Sequence, residues 1–217
     1  MKKQFLLIIF SILTCNIFAQ SNSVGVYAGF NVSNAKIENY VDNDTKNLIN
    51  FTYGINYQRV FSIPFVIDCG LLMNNVGYKI EVNYRGQNNE DLGTFDTPWK
   101  YRYVSVPLMV GYRFGDKLSI TPKIGLQMSY LMDSRLKGDH NGASINDKQD
   151  LKYFHRFDLA GVVEAEFDYK FYHNWGVFVC LSGKYSFTNT ADFINIIKDT
   201  TIHHYLFSTV CGVKYSF

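Results

Sequence analysis

Tyr205-Leu-Phe-Ser-Thr-Val-Cys-Gly-Val-Lys-Tyr-Ser-Phe217 is the stretch that decides the fold. Tyr205, Phe207, Thr209, Cys211, Val213, Tyr215 and Phe217 fall on one side of an extended chain. Ser208, Val210, Gly212, Lys214 and Ser216 fall on the other. Alternation kept up over this length is the period-2 signature of a β-strand between two unlike environments. The apolar face runs to an aromatic last residue, with no polar tail to cover it. In water such a strand invites aggregation. In a membrane it has a use, because pairing the last strand with the first closes a barrel and leaves no backbone edge in hydrocarbon.

The same alternation recurs seven times upstream, over Val24–Val32, Phe51–Gln58, Phe65–Asn74, Val104–Tyr112, Leu118–Tyr130, Phe157–Tyr169 and Trp175–Phe187. Long polar segments near 33–50, 82–100, 133–152 and 188–202 separate them in turn with short turns at Ser62-Ile63-Pro64, Gly115-Asp116-Lys117 and Tyr172-His173-Asn174. A membrane barrel has this asymmetry, with short turns at one end and long loops at the other. The expected fold is all-β: an eight-stranded antiparallel up-and-down transmembrane barrel.

The aromatic residues, 17% of the chain, support a lipid-facing surface. On the apolar faces, Phe65, Tyr112, Phe167, Tyr169, Trp175, Tyr215 and Phe217 gather toward the short turns. Phe51, Tyr53, Tyr130, Phe157, Tyr185, Phe187, Tyr205 and Phe207 gather toward the long loops. Rings of this kind prefer the headgroup level, which gives two girdles around an aliphatic band. Pro107 sits mid-strand and cannot donate a ladder hydrogen bond, so a local bulge is expected there.

Residues 1–19 read as a secretory signal peptide, and 20–217 as the barrel domain. Lys2 and Lys3 precede an apolar run, Phe5 to Leu13, too short to span a bilayer, and Ile-Phe-Ala19 offers a cleavage site. Cys15 suggests a lipoprotein, but Thr14 before it is a poor fit to lipobox cleavage. Of the 21 Lys and Arg, two lie in that segment, which leaves 19 against 19 Asp and Glu. A neutral mature chain argues against a nucleic-acid partner. Cys69, Cys180 and Cys211 are scattered and odd in number, so they read as small packing residues rather than a disulfide framework.

Four stretches resemble the outer-membrane β-barrel family that includes PorT-like and small porin-family proteins. They are Gly25-Val-Tyr-Ala-Gly-Phe-Asn-Val-Ser33, Tyr103-Val-Ser-Val-Pro-Leu-Met-Val-Gly-Tyr-Arg-Phe-Gly115, Tyr185-Ser-Phe-Thr-Asn189 and the C-terminal strand. Ser105, Gly111, Glu164 and Glu166 depart from the family's usual residues, which are an acid, a base and glycines in turn. Phe217, with Tyr215 and Val213 at alternate positions, resembles the C-terminal signal that outer-membrane assembly machinery reads. The resemblance implies an outer-membrane barrel of a Gram-negative-type envelope with both termini periplasmic. It implies no agreed activity.

The inward faces carry Lys123, Lys184 and Lys214 with Asp68, Glu164, Glu166 and Asp168. Eight strands enclose an interior that side chains fill, and charges there must pair. A structural salt-bridge network of Lys123, Glu164, Glu166, Lys184, Lys214 and Asp68 is therefore expected, with Lys123 level with Glu164. His203, His204 and Ser208 lie near the loop end of the last strand, but the two histidines point to opposite faces and no acid is placed to orient either. Asp42-Asn-Asp44 and Asp139-His140 fall short of a calcium or zinc ligand set. No enzyme activity, cofactor or metal is expected.

The expected role is a structural or interaction component of the cell envelope acting through its loops, or an accessory of a secretion or envelope complex. Its expected partners are outer-membrane lipid, the assembly machinery and envelope proteins met by the loops. A narrow porin-like pore is the alternative. A soluble lipocalin-like carrier of the same strand number is the second, since alternation does not say which face is inside.

Overall fold

The computed structural model describes residues 19–38, 45–61, 64–85, 91–140, 143–148, 150–151, 154–189 and 201–217. Residues 1–18, Ser62, Ile63 and the Asp42-Asn-Asp44 segment lie outside the described residues. The strands are β1 (Ala19–Glu38), β2 (Thr45–Phe61), β3 (Phe65–Arg85), β4 (Asp91–Tyr112), β5 (Leu118–His140), β6 (Ala143–Lys148), β7 (Phe157–Tyr172), β8 (Trp175–Ser186) and β9 (Thr201–Ser216). Eight of them, all but β6, form a closed antiparallel ring in chain order, with β4 on β5 and β1 on β9. β6 pairs with the far end of β5, from Arg135↔Lys148 to His140↔Ala143.

The closing seam runs from Ser23↔Ser216 to Glu38↔Thr201. Past its end, Phe217 and Asn22 exchange backbone hydrogen bonds of 2.8 and 3.0 Å. Of the three turns at that end, His173 and Asn174 link β7 to β8 as a two-residue hairpin, with Tyr172 paired to Trp175 and His173 at φ 27°. Gly115, at φ 90°, takes the left-handed conformation that a side chain disfavours and turns β4 into β5.

The two faces of the wall settle which side is inside. Val26, Ile55, Leu108, Ile124, Leu126, Val163 and Leu181 are all exposed on the outer surface. The aromatic residues of both girdles flank them, outward and largely exposed. Polar side chains point into the ring and are buried, among them Gln58, Asp68, Thr121, Lys123, Glu166 and Lys214. This arrangement overturns the lipocalin-like carrier, which needs its apolar face around the cavity and its polar face in water.

Two local expectations also change. The long polar segments are partly wall: 33–38, 45–50, 91–100 and 133–140 are strand. β3, β4 and β5 reach 21, 22 and 23 residues, against 12 for β8, where about 10 suffice to cross hydrocarbon. The barrel therefore rises well past the apolar belt on its β3–β5 side. At Pro107 there is no bulge. Cys69↔Leu108 and Leu72↔Ser105 keep one register, and the ladder merely skips the pairs between them. Pro107 points inward and is buried, and Gly70, the residue that would face it, has no side chain to crowd the ring.

Candidate functional site

The interior holds two tiers of unlike chemistry. Nearer the short turns is a compact network of charges. β5 and β7 pair Lys123 directly with Glu164, and alternation then puts Glu166 and Asp168 on the same inward face of β7. Lys123 Nζ donates to Asp68 Oδ2 at 2.5 Å, to Glu166 Oε2 at 2.5 Å and to Glu164 Oε1 at 3.0 Å. Lys214 Nζ, from β9 two strands round the ring, donates to Glu166 Oε1 at 2.7 Å and contacts Asp168. Lys214 also lies 5.3 Å from the ring centre of Phe178.

Two residues that the alternation of charges does not single out tie this network together. Gln58 Nε2 donates to Glu166 at 3.1 Å and Asp68 at 3.3 Å. Arg113, just beyond the end of β4, donates to Gln58 Oε1 at 2.6 Å and to Asp168 at 3.5 Å. The tier thus brings Lys123, Lys214 and Arg113 against Asp68, Glu164, Glu166 and Asp168. In a medium of low dielectric such charges persist because the two lysines are each shared among several carboxylates.

Lys184 leaves that group, contrary to its expected place in one network. Its Nζ donates to Asp158 Oδ2 at 3.1 Å, and Asp158 also accepts from Ser186 and, at 2.8 Å, from Thr188. The reason is depth: Lys184 pairs with Val162 and Leu206, nearer the loops than Glu164. Between the two groups is a narrow cavity of about 60 Å³, lined by Asp68, Glu164, Cys180, Lys184 and neighbours. It has room for a few water molecules and no more.

Nearer the loops the interior turns apolar. Ala35, Val76, Tyr78, Tyr101, Tyr103, Leu131, Phe154, Ile202 and Leu206 form a buried cluster inside the rising wall. His204 is buried among them, its ring centre 5.1 Å from that of Tyr101 and 5.9 Å from that of Tyr78. Beside this tier the β2–β3 ladder stops at Thr52↔Asn74 and resumes, shifted, at Asn47↔Tyr78. Side chains take over the missing bonds. Ser33 Oγ donates to Gly77 O at 2.7 Å and accepts from Gly77 N at 2.9 Å. Asn31 Nδ2 donates to Asn75 O at 3.0 Å, and Asn75 Nδ2 donates to Phe51 O at 2.8 Å.

His203, His204 and Ser208 are not brought together as a nucleophile and its base. His203 faces outward, stacked on Tyr185, with Nδ1 3.2 Å from Ser186 O. Ser208 is hydrogen-bonded to Ser182 at 2.6 Å, and His204 is enclosed by tyrosines. Among the described residues, Glu164, Glu166 and Cys180 offer ligand atoms within 4.8 Å of one another. Lys123 already places its ammonium against both carboxylates, which is the position a cation would take. Cys69, Cys180 and Cys211 are all free. Asp139 and His140 lie on β5, paired with Ser144 and Ala143.

A protein-family model described as an outer membrane protein beta-barrel domain matches residues 18–192. No curated protein matches the sequence. Among solved structures, the outer membrane protein OprG from Pseudomonas aeruginosa is similar at a TM-score of 0.53 and 10% identity, over 92% of this chain and 97% of that one. A major outer membrane protein from Thermus thermophilus is similar at 0.51 and 10%, over 90% of this chain and 99% of that one. At such identities the likeness is one of fold.

Proposed function

Since this chain belongs to the outer membrane protein beta-barrel family, we propose that it is a closed, non-conducting barrel of the outer membrane that serves as a structural or interaction component of the envelope. The observation that carries this reading is the double filling of its interior. Three cations and four carboxylates interlock in one tier, and an aromatic cluster fills the other. A path for solutes would have to break both. The surface left for contact with partners is then the long-stranded rim of β3, β4 and β5 with the β5–β6 hairpin. On this reading the loops face outward from the cell and both termini are periplasmic. Val213, Tyr215 and Phe217, all exposed on the outer face, form the strand that assembly machinery engages. The Tyr103–Gly115 stretch supports the finer kinship with PorT-like proteins, and with it an accessory place in a secretion or envelope complex.

Purified protein in planar bilayers tests the closed interior. Steady conductance from the monomer would favour the narrow-pore alternative; a silent bilayer with folded protein present is the expected result. Crosslinking from intact outer membranes tests the partners: bonds formed at the β3–β5 rim are expected, and none there would count against a role through the loops.

A further inference from the structure

One stretch of the outer surface breaks the pattern of a plain lipid-facing wall. At the level of the loop-side girdle, Phe30 lies beside Phe51 on one side of the broken β2–β3 ladder, and Asn75 beside Arg102 and Arg102 beside Asp133 on the other, with Asn75 Nδ2 donating to Phe51 O across the break. One row further toward the loops, Gly77 faces Lys100 and Lys100 faces Arg135. The middle strand, β3, lines the surface here with Asn75 alone, and the surface sinks beside it into a trough of about 420 Å³.

The two walls of this trough differ. On one side are Phe30, Ile49 and Phe51, of which Phe30 and Ile49 are 63% and 69% exposed. On the other are Lys100, Arg102 and Arg135. Asp133 is the carboxylate among the lining residues; it accepts from Arg135 at 2.7 Å and lies 3.9 Å from Lys148. Arg102 is exposed, with one long hydrogen bond, 3.4 Å, to Asn75 Oδ1. Among the lining residues three cations stand against one carboxylate.

We propose that this trough is a docking site for a phosphorylated membrane lipid, with its phosphate on Lys100, Arg102 and Arg135 and its acyl chains along Phe30, Ile49 and Phe51. The chemistry favours that occupant over others. Guanidinium groups bind phosphate through paired hydrogen bonds, and cations just above an apolar surface attract anionic headgroups. A soluble anion would have no use for three large exposed apolar residues, and a neutral lipid none for the cations. The site rests on the girdle lying at the membrane surface, as in the function proposed above.

The test is native mass spectrometry of the full chain in non-ionic micelles, titrated with diphosphorylated lipid A. Three comparisons accompany it: the dephosphorylated lipid, the phosphorylated sugar headgroup without chains, and Lys117→Gln/Lys170→Gln at the opposite end of the barrel. One bound lipid is expected, weakened about fivefold by Arg102→Gln and on the order of a hundredfold by Lys100→Gln/Arg102→Gln/Arg135→Gln, at roughly one surface charge per step. Phe30→Ala/Ile49→Ala weakens it too, and the opposite-end pair leaves it unchanged. Binding by the triple variant within twofold of the parent overturns the proposal. So does equal binding of the dephosphorylated lipid, or of the headgroup without chains. Heat-modifiable migration of each variant reports folding, and Arg102→Gln, which removes an exposed side chain, serves if the triple variant does not fold. A folded protein that binds no lipid refutes the site while leaving the closed barrel standing.

Discussion

The belt and the rim of this barrel are built on opposite rules. In the belt, from about Val24 to Phe30 along β1, valine and phenylalanine face out while the lumen side is taken by Gly25, Tyr27 and Gly29. On β3 the inward residues run Asp68, Gly70, Leu72, Asn74 and then change to Val76 and Tyr78. On β4 they run Ser105, then Tyr103 and Tyr101. Outward at that height are Asn75, Lys100, Arg102 and Arg135 in place of leucine and valine. On its β3–β5 side one continuous wall thus carries apolar-out, polar-in patterning at one depth and the reverse at the next, while Phe30, Ile49 and Phe51 stay outward on β1 and β2. The difference teaches where the solvent changes. Against hydrocarbon the wall needs apolar side chains, and its polar ones must satisfy each other inside. Against water the hydrophobic effect packs the interior as it would in any soluble barrel.

The contrast can be broken most sharply in the belt interior. Lys123→Met leaves Asp68, Glu164 and Glu166 facing one another without their shared cation. Removing one partner of a buried ion network costs about 3–5 kcal/mol, so urea unfolding from lipid vesicles should show a loss of that size. An unchanged midpoint would mean that water, not Lys123, holds those carboxylates.

A smaller effect is expected from the belt exterior. Leu126→Arg sets a charge in mid-belt hydrocarbon and should cost about 2–4 kcal/mol in the same titration. Gln127→Arg, one residue along, enters the cavity beside Asp68 and Glu164 and should cost less. Equal losses would contradict the assignment of the two faces. At the rim, Arg135→Ala removes a surface ion pair with Asp133 and should change stability by about 0–1 kcal/mol, since such pairs are screened by water. A loss as large as that of Leu126→Arg would mean that the pair is shielded from water and that Asp133 is left uncompensated.

The belt is legible in the sequence and the rim is not, for the same physical reason. Alternation between Leu126 and Gln127, or Val213 and Lys214, contrasts an aliphatic residue with a strongly polar one, so strand, face and pairing follow from spacing alone. The Lys123–Glu164 level follows from folding two such strands about their connection. Past the belt the contrast reverses sign. Tyr101 between Lys100 and Arg102 is itself a good inward-facing pattern, but in a polar stretch rich in Asn, Gly and Asp it reads as loop. Parity puts Lys184 on the right face but not at the right depth around a tilted wall, so its pairing with Asp158, apart from the main network, does not follow from it. Gln58 and Arg113 escape a search for alternating charges: one is uncharged, and the other lies beyond the last alternating residue of β4. The expected bulge at Pro107 does not form because facing Gly70 lets the ladder skip two pairs without shifting register.

The reversal of patterning along one wall is tested most directly by spin labels placed singly on β4, after replacement of the free cysteines. Outward positions Leu108, Val106 and Val104 and then Arg102 and Lys100 would be labelled in turn, in lipid vesicles, and their collision rates with oxygen and with a water-soluble nickel chelate compared. Oxygen should dominate from Leu108 to Val104 and the chelate at Arg102 and Lys100, with the crossover at the Phe30–Phe51 girdle. Oxygen dominance continuing through Lys100, or chelate access at Leu108, would contradict a membrane boundary between the two tiers.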